Sequence, residues 1–346
     1  MTWRILLAPF SFIWWIITAI RNLLYNIKVF PVKKFKKPII VVGNLAVGGT
    51  GKTPHTLYLL DLLYKNFRVA SLSRGYGRKT SGFIVANYDS SARQIGDEPM
   101  IFFNRFKNRI VVAVGENRVE AIEKLLKKFR LDAVILDDAF QHRALKAGFY
   151  ILLTEYNNRY NKDYLLPMGN LRESGREANR ANIIIVTKCP KDLSEKEKEE
   201  IKQELKIKKN QYLFFSTIKY HEELKHIDFD IPTDELRNYN VLLVTGIANA
   251  GSLEKYVKAE SKSVQYLKYP DHYNFKPNDV AAIAKAFESL SEPKLILTTE
   301  KDYMKLRHEH RIVENLYYLP ISIEVDQSEK FNNIIQNYVH KVSRSS

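Results

Sequence analysis

Residues 38–54 read PIIVVGNLAVGGTGKTP, an apolar run that breaks into glycines and then into Lys52-Thr53. Few folds accept such a segment. Ile39, Ile40, Val41 and Val42 have the β-branched density of a strand buried on both faces, the kind found in parallel sheets. Gly48, Gly49 and Gly51, flanking Thr50, let backbone N–H groups close around phosphate oxygens, and Lys52 would then reach the β- and γ-phosphates of a nucleoside triphosphate. Thr53 would offer its hydroxyl to Mg2+, while Pro54 suits the first turn of a helix whose N-terminus favours anions. Leu57, Leu60, Leu63 and Tyr64 supply that helix with a buried stripe. The strict phosphate-loop pattern requires glycine at position 46, where this chain has Ala46; the alternative is a plain glycine-rich turn.

Further short apolar runs follow: RVASLS at 68–73, DAVILD at 132–137, FYILLT at 149–154, NIIIVT at 182–187 and QYLFFS at 211–216. Helical stretches separate several of them. The alternation predicts an α/β fold of the P-loop NTPase type, a mostly parallel sheet with helices on both faces and ligands at the carboxyl ends of the strands. Residues 221–240 are polar and without clear period, and VLLVTGIAN at 241–249 starts a new strand-to-turn unit. The expected layout is a hydrophobic membrane helix over 1–28, a phosphate-loop domain over 29–220, a linker over 221–240 and a smaller α/β domain over 241–346. The closing VSRSS reads as a frayed tail.

A chain of 346 residues, 45% of them hydrophobic, can bury two cores. Its formal charge of +15 points to an anionic partner, which is a nucleic acid, a polyphosphate or an acidic membrane surface. Nucleic acid is not expected, because no RNA-binding motif or zinc finger is present. The single Cys189 excludes an intramolecular disulfide and fits a reducing compartment, and without a C-x-x-C or His-rich cluster any metal should be Mg2+. Ile5 to Ile20 is nearly all apolar, contains Trp14-Trp15 and leads into Arg21, Lys28, Lys33, Lys34, Lys36 and Lys37. A helix of that length covers only about 24 Å, so it is expected to lie in the cytosolic leaflet rather than span it, with the basic residues on anionic headgroups. The alternatives are a secretory signal peptide, against which stands the lack of an A-x-A-like cleavage site, and a helix that only packs on the protein.

Four clusters carry candidate chemistry. VILDDAFQHR places Asp137 and Asp138 where a buried strand ends, the position from which a carboxylate supports Mg2+; which of the two contacts the ion stays open. QIGDEPM supplies Asp97 and Glu98, a pair that also suits a helix N-cap. LLPMGNLRES offers Arg172 and Glu173 for phosphate and metal, or as a surface ion pair, and YPDHYNF offers Asp271 and His272. Arg74, Arg78 and Arg118 follow strand ends or adjoin a helix, where guanidinium groups bind phosphate bidentately or form a solvated rim.

Taken in order, VVGNLAVGGTGKTP, LSRGYGR, GDEP, GENR, LDDAFQHR, LLPMGNLRE and DHYNF resemble the tetraacyldisaccharide 4'-kinase family of lipid A synthesis, over about residues 1–305. The resemblance implies transfer of the γ-phosphoryl of ATP to the 4'-hydroxyl of a tetraacylated disaccharide 1-phosphate, giving lipid IVA at the cytoplasmic face of the inner membrane. It implies that Asp97 accepts the hydroxyl proton with help from His272, and that Thr53, Asp138 and Glu173 surround Mg2+ with Asp137 close by. The substrate head would be met by Arg74, Arg78, Arg118 and Arg172, and the partners would be that lipid and the inner-membrane lipids, with the chain a monomer. A site split between two domains further implies a closing motion, and deletion of residues 1–28 should spare nucleotide binding. Ala139 departs from the family's usual glycine. A membrane-associated P-loop GTPase or ATPase switch is the alternative, although Pro190 in IVTKCP stands where a guanine-reading aspartate would be.

Overall fold

A strand that is β-branched on both faces must be covered on both, and Ile39–Asn44 is buried at every position. In the computed structural model, which describes residues 3–344, this strand is at the centre of a nine-stranded sheet. The order runs Ile321–Val325, Tyr212–Tyr220, Ile183–Thr187, Phe149–Glu155, Ile39–Asn44, Ala133–Asp137, Val69–Ser73, Val111–Val114, Ile84–Val85. Only the two outermost strands run antiparallel to their neighbours. The remaining strands are parallel, so their carboxyl ends share one edge, and the Lys52–Leu63 helix starts there. One face is sealed by Leu59, Leu60, Phe102, Phe106 and Phe331, the other by Ile122, Leu125, Phe140 and Ile201.

A second sheet is wholly parallel, with the order Ser263–Lys268, Asn240–Thr245, Lys294–Thr298, Leu316–Tyr318. Two of the expected boundaries need correction. Residues 221–240 are not a free linker, since Leu224 and Leu236 are fully buried in the second sheet's core. Nor does the smaller unit run to residue 346. The second sheet ends at Tyr318, after which Ile321–Val325 joins the large sheet and the helix Ser328–Arg344 packs on it. Phe331, Ile335 and Val339, spaced four apart, form the stripe that drives this return. Val342 to Arg344, read as tail, belong to that helix, and Ser345 and Ser346 lie outside the described residues.

The two sheets share an apolar core, because Tyr303, Met304 and Leu306 of the helix Glu300–Leu306 join the cluster containing Phe102 and Phe103 of the helix Asp97–Phe106. At the amino terminus a 3-10 turn, Trp3–Leu7, leads into the helix Ala8–Asn26; residues 1 and 2 of the expected 1–28 segment lie outside the described residues. That helix is inverted relative to a water-soluble one. Ser11, Thr18 and Asn22 face the protein, while Phe10, Phe12, Ile13, Ile16, Ile17 and Ile20 face outward. Ser11 Oγ donates to Leu165 O at 3.0 Å and accepts from Met168 N–H at 2.9 Å, and the Trp14 indole donates to Arg172 O at 3.0 Å.

Candidate active site

The chain turns from Ile39–Asn44 into the Lys52–Leu63 helix through Gly48 and Gly51, which have φ of +107° and +86°. An L side chain is strained in that region, so these glycines set the loop's path. Lys52 Nζ lies 3.4 Å from Asn44 Oδ1 and 3.8 Å from Asp138. One turn on, buried His55 has Nδ1 2.7 Å from Gly51 O and Nε2 2.9 Å from Ser216 Oγ. A carbonyl only accepts, so Nδ1 carries the proton and Nε2 accepts from Ser216. Burial lowers the imidazole pKa to about 4, and the neutral ring therefore staples the loop to the Tyr212–Tyr220 strand. Neither residue is singled out by sequence reasoning; the signal would have been a histidine directly after GKTP.

Asp137 ends the strand Ala133–Asp137, where it accepts from Thr56 Oγ1 at 3.2 Å. Burial, and then the adjacent charge of Asp138, push its carboxyl up to about 7. Asp138 has a left-handed backbone, φ 50°, a conformation more common at functional turns than elsewhere for a non-glycine residue, and accepts from Arg172 Nη1 at 3.0 and 3.2 Å. Asp137 and Asp138, one of them destabilised by burial, line the same cleft as Thr53, and three oxygen-bearing side chains of this kind have the donor chemistry that Mg2+ takes. Glu173 does not belong to it. Its side chain is completely buried, Oε1 accepts from Arg180 at 3.0 Å, and Oε2 accepts from Asn22 at 3.2 Å with Arg21 at 3.5 Å. The sequence could not show this, because those partners come from the amino-terminal helix and from residue 180.

Across the site, Gly75 and Gly96 bring two loops together backbone to backbone: a Cβ on Gly75 would be 2.7 Å from Ile95 O, and one on Gly96 would be 3.0 Å from Gly75. Gly96, not Asp97, thus takes the N-cap place, and Asp97 becomes the first residue of its helix, without a capping bond. Asp97 Oδ2 instead lies 2.9 Å from Lys305 Nζ and 3.4 Å from His272 Nδ1. Burial alone would raise its pKa, but pairing with His272 and the charge of Lys305 outweigh it and hold the carboxyl below its ordinary value. His272 also has a left-handed backbone, φ 56°, and the Tyr76 ring lies against it, with centroids 4.8 Å apart.

Both halves meet at a cleft of about 1050 Å³ between the sheets. Every expected phosphate-loop residue from Gly48 to Pro54 lines it, as do Asp137, Asp138 and His272; Asp97 is buried beside the cleft, 3.4 Å from His272. Arg74, Arg118 and Arg172 line it too. Arg118 is nevertheless nearly buried, donating to Gly115 O and Glu116 O at 3.0 Å, and burial brings its guanidinium down to about 10. Arg78 is not in the cleft. It is paired with Glu116 and donates to Gly82 O at 2.7 Å, so it braces a loop instead of presenting charge to a ligand. Lys301, which lines the cleft, and Lys305, which contacts Asp97, were missed in the sequence, although TTEKDYMKL directly follows a strand end, where ligands collect.

A parallel sheet that ends in a glycine-rich Lys-Thr loop, with paired acids on the next strand and a carboxylate–imidazole pair across the cleft, defines a P-loop phosphotransferase. The pattern of the LpxK family, tetraacyldisaccharide-1-P 4'-kinase, matches residues 3–340. The chain belongs to that family. It is 43% identical to the tetraacyldisaccharide 4'-kinase of Flavobacterium johnsoniae, with 97% of each chain covered, and 42% identical to that of Bacteroides thetaiotaomicron, covering 98% of this chain and 94% of the relative. Its fold matches LpxK from Aquifex aeolicus, solved as an "apo" form in complex with ATP, with a TM-score of 0.77, 32% identity, and coverage of 97% and 99%.

Proposed function

We propose that this kinase transfers the γ-phosphoryl group of ATP to the 4'-hydroxyl of tetraacyldisaccharide 1-phosphate, giving lipid IVA, and works as a monomer at the cytoplasmic face of the inner membrane. The observation that carries this reading is that Lys52, Asp137 and Asp138 line the same cleft as His272, with Asp97 buried beside it. The triphosphate lies along Gly48–Pro54, with Lys52 on the β- and γ-phosphates and Arg172 or Arg74 toward the acceptor's phosphate. Thr53, Asp137 and Asp138 would hold Mg2+, which neutralises charge on the transferring phosphates. As the 4'-oxygen bonds to the γ-phosphorus, the bond from that phosphorus to the β–γ bridging oxygen breaks; the hydroxyl proton passes to the Asp97–His272 pair, and ADP leaves with the bridging oxygen.

The inverted amino-terminal helix supports membrane attachment, since its outward face is apolar and water would penalise it. Its inward bonds to Leu165, Met168 and Arg172 favour a helix lying in the surface over one that spans. Incubation with γ-labelled ATP, Mg2+ and the disaccharide 1-phosphate in mixed micelles should place label in a lipid product. Label that appears only as free phosphate would refute the assignment.

A further inference from the structure

We propose that Lys301 and Lys305, on the helix Glu300–Leu306 beside the second sheet, are positioning residues that set the Asp97–His272 pair for accepting the acceptor's proton. The inference deepens the phosphoryl-transfer reading and rests on it. The two lysines are four residues apart and so share a helix face. Their helix is held rigidly. Thr299 caps it by accepting from Asp302 N–H at 3.2 Å, Asp302 in turn accepts from Gly246 N–H at 2.8 Å, and Tyr303 and Met304 are buried in the core that joins the sheets.

Lys305 Nζ has three protons to give. One goes to Asp97 Oδ2 at 2.9 Å and another to Tyr273 O at 3.0 Å, the carbonyl directly after His272. A single ammonium therefore ties the carboxylate to the loop that carries the imidazole. Lys301 Nζ is 2.9 Å from His272 Nε2. An ammonium has no lone pair, so Nε2 accepts and the ring proton of neutral His272 sits on Nδ1, which lies 3.4 Å from Asp97 Oδ2 without a hydrogen bond to it. With Nε2 engaged and Nδ1 protonated, the free lone pairs of the pair belong to Asp97. Lys301 also approaches Glu98 at 3.6 Å and Asp271 at 3.4 Å, so the charged groups around Asp97 are two ammoniums, His272 and the carboxylates of Glu98 and Asp271. Placing such groups on a packed helix, not on a loop, fixes their geometry.

The test compares Lys305→Met, Lys305→Arg, Lys301→Met and Asp97→Asn in full-length protein, reading kcat against pH at saturating ATP together with the Kd of a non-hydrolysable ATP analogue. Lys305→Met should lower kcat about tenfold and move the acid limb of its pH profile up by about one unit, since an opposite charge this close stabilises the ionised carboxylate. Analogue binding should stay unchanged, and Lys305→Arg should return the limb toward the wild-type position. Lys301→Met reads the same limb independently if Lys305→Met does not fold, and should move it the same way by less. Unmoved limbs in the lysine variants alongside an inactive Asp97→Asn would overturn the lysine assignment alone. An active Asp97→Asn would overturn the reading beneath it.

Discussion

Glu173 is completely buried and bonded to Arg180 and Asn22, with Arg21 close by, which makes it a structural charge and not a ligand. Removing one partner of a buried ion pair leaves the others uncompensated, so Glu173→Ala should cost about 3 kcal/mol of stability. Urea denaturation measures this; a loss below about 0.5 kcal/mol would contradict the structural role. Asp97 behaves differently with pH. Its folded carboxyl is held below the ordinary value, so its stabilising contribution is complete above an unfolded pKa of about 3.9 and is lost as pH falls through the lower folded value. The stability gap between wild type and Asp97→Asn should therefore shrink between pH 7 and pH 3, whereas a constant gap would rule this out. Residue types at strand ends were legible in the sequence, because Asp137, Asp138 and the Lys52 loop follow from local pattern. Glu173 and Arg78, two expected ligands, become braces in part through Asn22 and Glu116, which lie 151 and 38 residues away in the chain and which no local pattern reveals.

The amino-terminal helix and the 165–173 segment act as one element. Ser11, Trp14 and Asn22 bond to that segment, and Arg172 within it holds Asp138. Sequence alone treats the helix as an anchor whose loss spares nucleotide binding; the bonds make it a support for the site as well. Deleting residues 1–28 should then weaken ATP-analogue affinity about fivefold, the scale of one or two lost hydrogen bonds, besides reducing action on bilayer substrate. Calorimetry that finds unchanged nucleotide affinity would restore the simple anchor. The apolar composition of this helix was plain in the sequence. Its buried polar stripe was hidden, because Ser11, Thr18 and Asn22 look incidental until their partners are known.

Across the whole molecule, the alternation of strand and helix was enough to give the parallel sheet, but not the return of Ile321–Val325 and Ser328–Arg344 to its edge and face, since a short apolar strand can join either sheet. That return and the core shared by Phe102, Phe103, Tyr303 and Met304 couple the two sheets, and Asp97 lies 3.4 Å from His272 in this structure. Differential scanning calorimetry should show one unfolding transition, and two well-separated peaks would show that the sheets fold independently. The central claim is that one cleft binds the triphosphate at Lys52 and delivers the acceptor's proton to Asp97. Its most direct test is a single-turnover comparison of wild type and Asp97→Asn. Phosphoryl transfer to the lipid should fall at least about a hundredfold while ATP affinity stays within about twofold; transfer at the wild-type rate would contradict it.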